Sequence, residues 1–126
     1  MMEDNNELLT VEGIQQRVYF VRGQQVMLDS DLAEIYGYEV KNLNRQVKRN
    51  INRFPEDFMF QLEKEEVDYL RCQIGTANIN TKSRTLPFAF TEQGIYMLAT
   101  VLKGEIAEQQ SIFIMRAFKE MRHYIR

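Results

Sequence analysis

Cysteine and histidine are nearly absent: the 126-residue chain has one of each, Cys72 and His123. A lone thiol forms no internal disulfide, and one thiol with one distant imidazole supplies neither a zinc ligand set nor a nucleophile pair. No apolar run approaches the roughly 18 to 20 residues that span a bilayer. The opening Met-Met-Glu-Asp-Asn-Asn-Glu is polar and acidic and lacks the basic and apolar regions of a secretory leader, so a cytoplasmic protein with no membrane partner is expected. A metal-binding carboxylate cluster, which phosphodiester hydrolysis usually needs, is also missing from the pattern. The chain is therefore expected to be no enzyme and to carry no cofactor or metal. Net positive charge is lacking too, at a formal −2. That balance argues against nucleic-acid binding unless the charge is unevenly distributed.

The charge is uneven. Four acids (Glu3, Asp4, Glu7, Glu12) lie in the first twelve residues, which leaves 14 acids against 16 bases in the rest. Between Val40 and Phe54 five bases (Lys41, Arg45, Lys48, Arg49, Arg53) occur without an acid. The spacing predicts one helix over 40–54, with Val40, Leu43, Val47, Ile51 and Phe54 on a core-facing stripe. Arg45 and Arg49 fall opposite the stripe, Asn42 and Asn52 beside them, and Lys41, Lys48 and Arg53 on the flanks. Six further acids between Glu56 and Asp68 belong to a different element, so an electrostatically polar molecule is expected.

Length and a hydrophobic content of 44% suit a single core. Residues 1–12 read as a flexible leader and 13–126 as one domain. Val18 to Val21 and Val26 to Leu28 predict a β-hairpin about the Gly23 turn. A helix from Asp31 to Tyr36 is expected, capped by Asp29 or Ser30 and stopped by Gly37. The basic helix follows and should end near Phe54, because Pro55 disfavours helix in the residue before it. Phe58 to Leu62 reads as a strand and Lys64 to about Gln73 as a helix with Val67 and Leu70 inward. Gly75 to Thr85 is a polar loop carrying Lys82 and Arg84. Leu86 to Phe90 is extended again, Thr91 caps a helix from Glu92 to Lys103, and Gly104 separates it from a last amphipathic helix. The fold class is α+β: a small β-sheet, formed by the N-terminal hairpin and short strands, packed with helices that include a helix-turn-helix-like pair and a long C-terminal helix.

In that pair Ala33 is the small residue at the close approach, Leu32 and Tyr36 are inner contacts, and Leu43 is the inner contact of the second helix. A regular helix-turn-helix would place an apolar residue at Gln46, whereas this sequence has Val47, so either the turn is longer or the crossing differs. Val26 through Gly37, then Leu43-Asn44, Arg49-Asn50, Arg53 through Leu62 and Pro87 through Gly94 resemble the successive motifs of the ORF-six-N domain. That domain is related to the KilA-N domains of phage antirepressors and large DNA viruses. The resemblance covers roughly Ile14 to Arg122 and implies a small α+β DNA-binding module, commonly joined to a variable C-terminal segment. The chain is thus expected to be a fragment or a minimal version. Glu63 stands where the family often has a capping Thr, which leaves the start of the Lys64 helix open.

A charged helix face is most often merely solvated, but the resemblance favours function for Arg45 and Arg49. Double-stranded DNA is the expected partner. Asn42, Arg45 and Arg49 would read base edges, and Lys41, Lys48, Arg53, Lys82 and Arg84 would hold phosphates. Arg53 serves equally well as a cation at the helix C-terminus, and Asn50 reads as structural. The acidic run Glu63, Glu65, Glu66 and Asp68 reads as a solvated face, and Thr91 to Gly94 as capping and close packing. Alternatively the chain is a protein-interaction module whose C-terminal helix and acidic face engage another regulator, with little DNA binding. The stripe Ile114, Phe118, Met121 and Ile125 predicts a homodimer through the last helix.

Overall fold

The computed structural model of the protein describes residues 10–74 and 85–125. Helix α1 (Val11–Gln15) is capped by the Thr10 hydroxyl, which accepts from Gly13 N at 2.9 Å. This helix takes in Val11 and Glu12 from the segment read as a leader, and its Ile14 is buried in the core.

Strands β1 (Val18–Val21) and β2 (Gln24–Leu28) form the hairpin in register Val18 to Met27 and Val21 to Gln24. Its two-residue turn has positive φ at both positions, 53° at Arg22 and 77° at Gly23, the geometry that suits the strands' right-handed twist. Helix α2 (Asp29–Tyr36), helix α3 (Val40–Arg49) and a 3-10 turn (Ile51–Arg53) follow. Then come β3 (Met59–Gln61), α4 (Lys64–Ile74), β4 (Phe88–Thr91), α5 (Glu92–Leu102) and α6 (Glu105–Ile125).

The sheet runs β1-β2-β4-β3 with antiparallel neighbours throughout, so the strand contributed last lies inside and joins the hairpin to β3. Period-two alternation divides its side chains between two cores. Val18, Met27, Phe90 and Met59 line up across one face, beneath a layer made by α1, α2, α3, α5 and α6. Leu28, Ala89 and Phe60 line up on the other face, where α4 covers them with Val67 and Leu70. This is an α+β architecture with a long C-terminal helix, as the pattern of elements implied. Among the described residues no helix is long and apolar enough to cross a membrane.

Two apolar stripes are used differently from their sequence reading. Ile114, Phe118 and Met121 are buried in the chain's own core, where α6 packs on α1, α2 and α5, so these three offer no surface to a second copy, and the side chain of Ile125 lies outside what the structure describes. Two polar links reinforce that packing: Tyr36 and Ser111 share a buried hydroxyl hydrogen bond of 2.6 Å, and Gln110 Nε2 donates to Ile35 O at 3.0 Å. The second departure is in α3. Its helix stops at Arg49, because Asn50 (φ −122°, ψ 34°) leaves the helical region, and the periodicity that put Ile51 under Val47 is broken. Ile51 turns out to 51% exposure and Val40, at the other end, to 39%. Phe54 returns to the core and meets Phe90 edge-on, ring centroids 6.0 Å apart.

Candidate nucleic-acid interface

The candidate interface depends first on how α3 is mounted. Gly37 closes α2 in the left-handed region (φ 78°), where a side chain would be strained. Tyr38 N then donates to Ala33 O at 2.8 Å and Gly37 N to Glu34 O at 3.3 Å, a paired closure that satisfies the free carbonyls of α2. Residues 37–39 make the turn, after which Leu43 and Val47 insert into the core that holds Leu32, Ala33 and Tyr36. Val47 therefore takes the inner position that a regular helix-turn-helix gives to its neighbour, and Gln46 is only half-buried.

A polar clamp completes the mount. The buried Asp29 carboxylate accepts from Asn44 Nδ2 at 3.0 Å, from Phe88 N at 3.3 Å and from Ser30 N at 2.8 Å. One side chain at the start of α2 thus holds both α3 and β4. Burial pushes the Asp29 pKa up, and these hydrogen bonds oppose the shift because each stabilises the charged form. Capping by Asp29 was one expectation; its actual work is this tertiary link, while the cap position belongs to Leu28, which has no side-chain cap bond. The run Asp29 to Asp31 signals a helix start, but nothing local in the sequence pairs Asp29 with Asn44.

With its inner face so fixed, α3 turns Lys41, Arg45, Lys48 and Arg49 to solvent. Among the described residues none of these four forms an ion pair. Arg45 Nη1 donates to Asn42 Oδ1 at 3.3 Å, an exposed contact that lays the two proposed base readers side by side. Arg53 is carried off the helix by the 3-10 turn, and its Nη1 reaches Thr100 Oγ1 on α5 at 3.5 Å, at the limit of a hydrogen bond. Asn50 is structural: its Nδ2 donates to Gln46 O at 2.9 Å, closing the helix end. Lys82 and Arg84 lie outside the described residues.

Beside this row a depression of about 620 Å³ opens between α3 and the β3–β4 side of the sheet. Val40, Val47, Ile51, Met59 and Phe88 form its apolar floor, and Lys41, Arg45 and Lys48 stand on its rim. The floor escaped sequence reasoning because the apolar stripe read over 40–54 set both Val40 and Ile51 against the core.

The exposed Glu39 stands at the N-cap of α3, but the acids of α4 are kept away from this surface. Helix α4, which bears Glu65, Glu66 and Asp68, covers the opposite face of the sheet. Glu66 also settles the start of α4. Its Oε1 accepts from Glu63 N at 2.8 Å, the reach-back half of a capping box, so the helix begins without a capping Thr. Arg22 steadies that carboxylate at 2.7 and 3.0 Å and holds its pKa below the usual range. At the end of β4, Thr91 caps α5 by accepting from Gly94 N at 3.3 Å and donates to Asp57 O at 2.8 Å. Gly94 is required there, because a Cβ would collide with the Phe58 carbonyl. These contacts tie the chain that leaves the basic helix to the sheet. No cluster of three or more potential metal ligands occurs among the described residues.

Fold and surface together define an α+β domain that presents a basic helix, free of ion pairs among the described residues, from a firmly packed mount. A family model, the ORF6N domain, matches residues 16–101, and the chain belongs to that family. No curated protein and no solved structure is significantly similar to it.

Proposed function

We propose that this chain is the DNA-binding module of a phage- or prophage-type transcriptional regulator of the antirepressor kind, with α3 as its reading helix. The observation that carries the proposal is the exposed row Lys41, Arg45, Lys48 and Arg49, free of ion pairs among the described residues, on a helix whose other face is locked by Leu43, Val47 and the Asp29–Asn44 bond. A ten-residue helix is roughly 15 Å long, and the major groove, about 12 Å wide, admits it. Asn42, Arg45 and Arg49 read base edges, while Lys41 and Lys48 hold phosphates. Arg53, Lys82 and Arg84 are assigned to phosphates as well, Arg53 from its new position beside α5. The reading includes no catalytic step and no cofactor. It places the protein in the cytoplasm, and it includes a two-fold dimer that would match an operator of two half-sites.

Selection from a random DNA pool at two salt concentrations tests the proposal. Enrichment of one sequence that persists at the higher salt supports it, whereas affinity that is equal for all sequences and vanishes with salt reduces α3 to a generic anion-binding face. The alternative, an interaction module for another regulator, draws on the exposed Val40 and Ile51 in the depression beside the cations. It predicts no salt-dependent DNA affinity.

A further inference from the structure

Helix α6 keeps a second face that the core does not use. Ile112 is 52% exposed there and Tyr96, across from it on α5, is 63% exposed. Both line a depression of about 820 Å³ between the two helices, with Ala99 and Met115 contributing apolar surface. Glu105, Glu108, Ile112, Arg116 and Lys119 follow at intervals of three and four, so they form one stripe along α6. Charge along this stripe is antisymmetric about Ile112. Glu108 and Arg116 lie four residues to either side of it, Glu105 and Lys119 seven to either side. Among the described residues none of these four forms an ion pair.

We infer that this face is a two-fold interface with a second copy of the chain, formed by antiparallel packing of α6 on α6 with the axis at Ile112. A two-fold contact sets position i against position j and j against i, and an antiparallel helix pair centred on Ile112 satisfies that requirement for every charge on the stripe. Glu108 meets Arg116 of the second copy and Glu105 meets Lys119, at roughly 6 and 10 Å along the helix from the axis. Ile112 packs on its own symmetry mate, and Tyr96 covers the second copy's helix from the side. A parallel arrangement sets like charges together, so the pattern selects the antiparallel one. The inference deepens the dimer included in the functional reading but uses no DNA contact, so its failure leaves the assignment of α3 standing.

Charge reversal tests it with substitutions at exposed positions. In E108R and in R116E each two-fold contact sets like charges together twice, and the dimer dissociation constant measured by sedimentation is expected to rise by about ten-fold or more. The double variant E108R/R116E restores both pairs and should return to the wild-type value. Mixing the two single variants should also restore dimerisation, as a heterodimer in which both pairs are again opposite. Wild type that stays monomeric at a hundred micromolar overturns the inference, as does a wild-type dimer that E108R and R116E leave unchanged. A mixture that remains monomeric overturns the antiparallel register.

Discussion

Replacement of Arg45 by alanine separates base reading from charge attraction when it is set against Lys48→Ala. Neither side chain enters the core, and among the described residues Arg45 makes only the exposed 3.3 Å hydrogen bond with Asn42. Both variants should therefore unfold within about 0.5 kcal/mol of wild type, the range of surface substitutions that touch no special feature. Binding should divide them. A base-reading arginine is worth about 1–3 kcal/mol of discrimination, so Arg45→Ala should weaken the selected site about 5- to 150-fold and flatten preference at one position. Lys48→Ala should weaken every sequence to a similar degree and lower the slope of log affinity against log salt by about one. Fluorescence anisotropy on the selected site, a single-base variant and a scrambled duplex, each at several salt concentrations, gives all of these quantities. If the two variants lose the same factor on all three duplexes, Arg45 is not a base-reading residue. If both unfold, α3 is not mounted as described.

Asn44→Ala should cost about 1.5–3 kcal/mol of unfolding free energy by urea titration, since it removes a hydrogen bond to the buried Asp29 carboxylate; no loss would mean that the clamp contributes nothing. Gly94→Ala should destabilise by about 1–3 kcal/mol or more, because the new Cβ meets the backbone carbonyl of Phe58 and no flexible side chain can give way; wild-type stability would refute the close approach. Burial pushes the Asp31 pKa from 3.8 up to about 6, although Arg17 Nη1 sits 2.7 Å from its carboxylate. The folded-state pKa thus lies above the unfolded one, so this group's contribution to stability is full below about pH 4 and is lost as pH rises through 6. A carbon-detected carboxyl titration should give Asp31 a midpoint near 6, and one near 4 would show that burial does not outweigh the Arg17 ion pair.

Local chemistry in the sequence was enough for much of this. The hairpin and its Gly23 turn, the stop at Gly37, the Thr91 cap and the break at Gly104 each depend on residues within a few positions of one another, so a linear reading contains their causes. The same holds for the basic row of α3, because helical spacing alone separates Lys41, Arg45, Lys48 and Arg49 from Leu43 and Val47. Other features were decided only when distant segments met. Asp29 became a clamp because Asn44 and the Phe88 amide converge on it. The stripe Ile114, Phe118 and Met121 was filled by the chain's own core, while Ile112 on another face of the same helix was left outside. Periodicity shows that a helix has an apolar side, but it does not show how much of that side the neighbours cover. The end of α3 at Arg49 follows the same reasoning. Phe54 is drawn back to Phe90 and the chain beyond it is held by Thr91, so the helix gives way at Asn50 and exposes Ile51, an outcome set by contacts across the sheet.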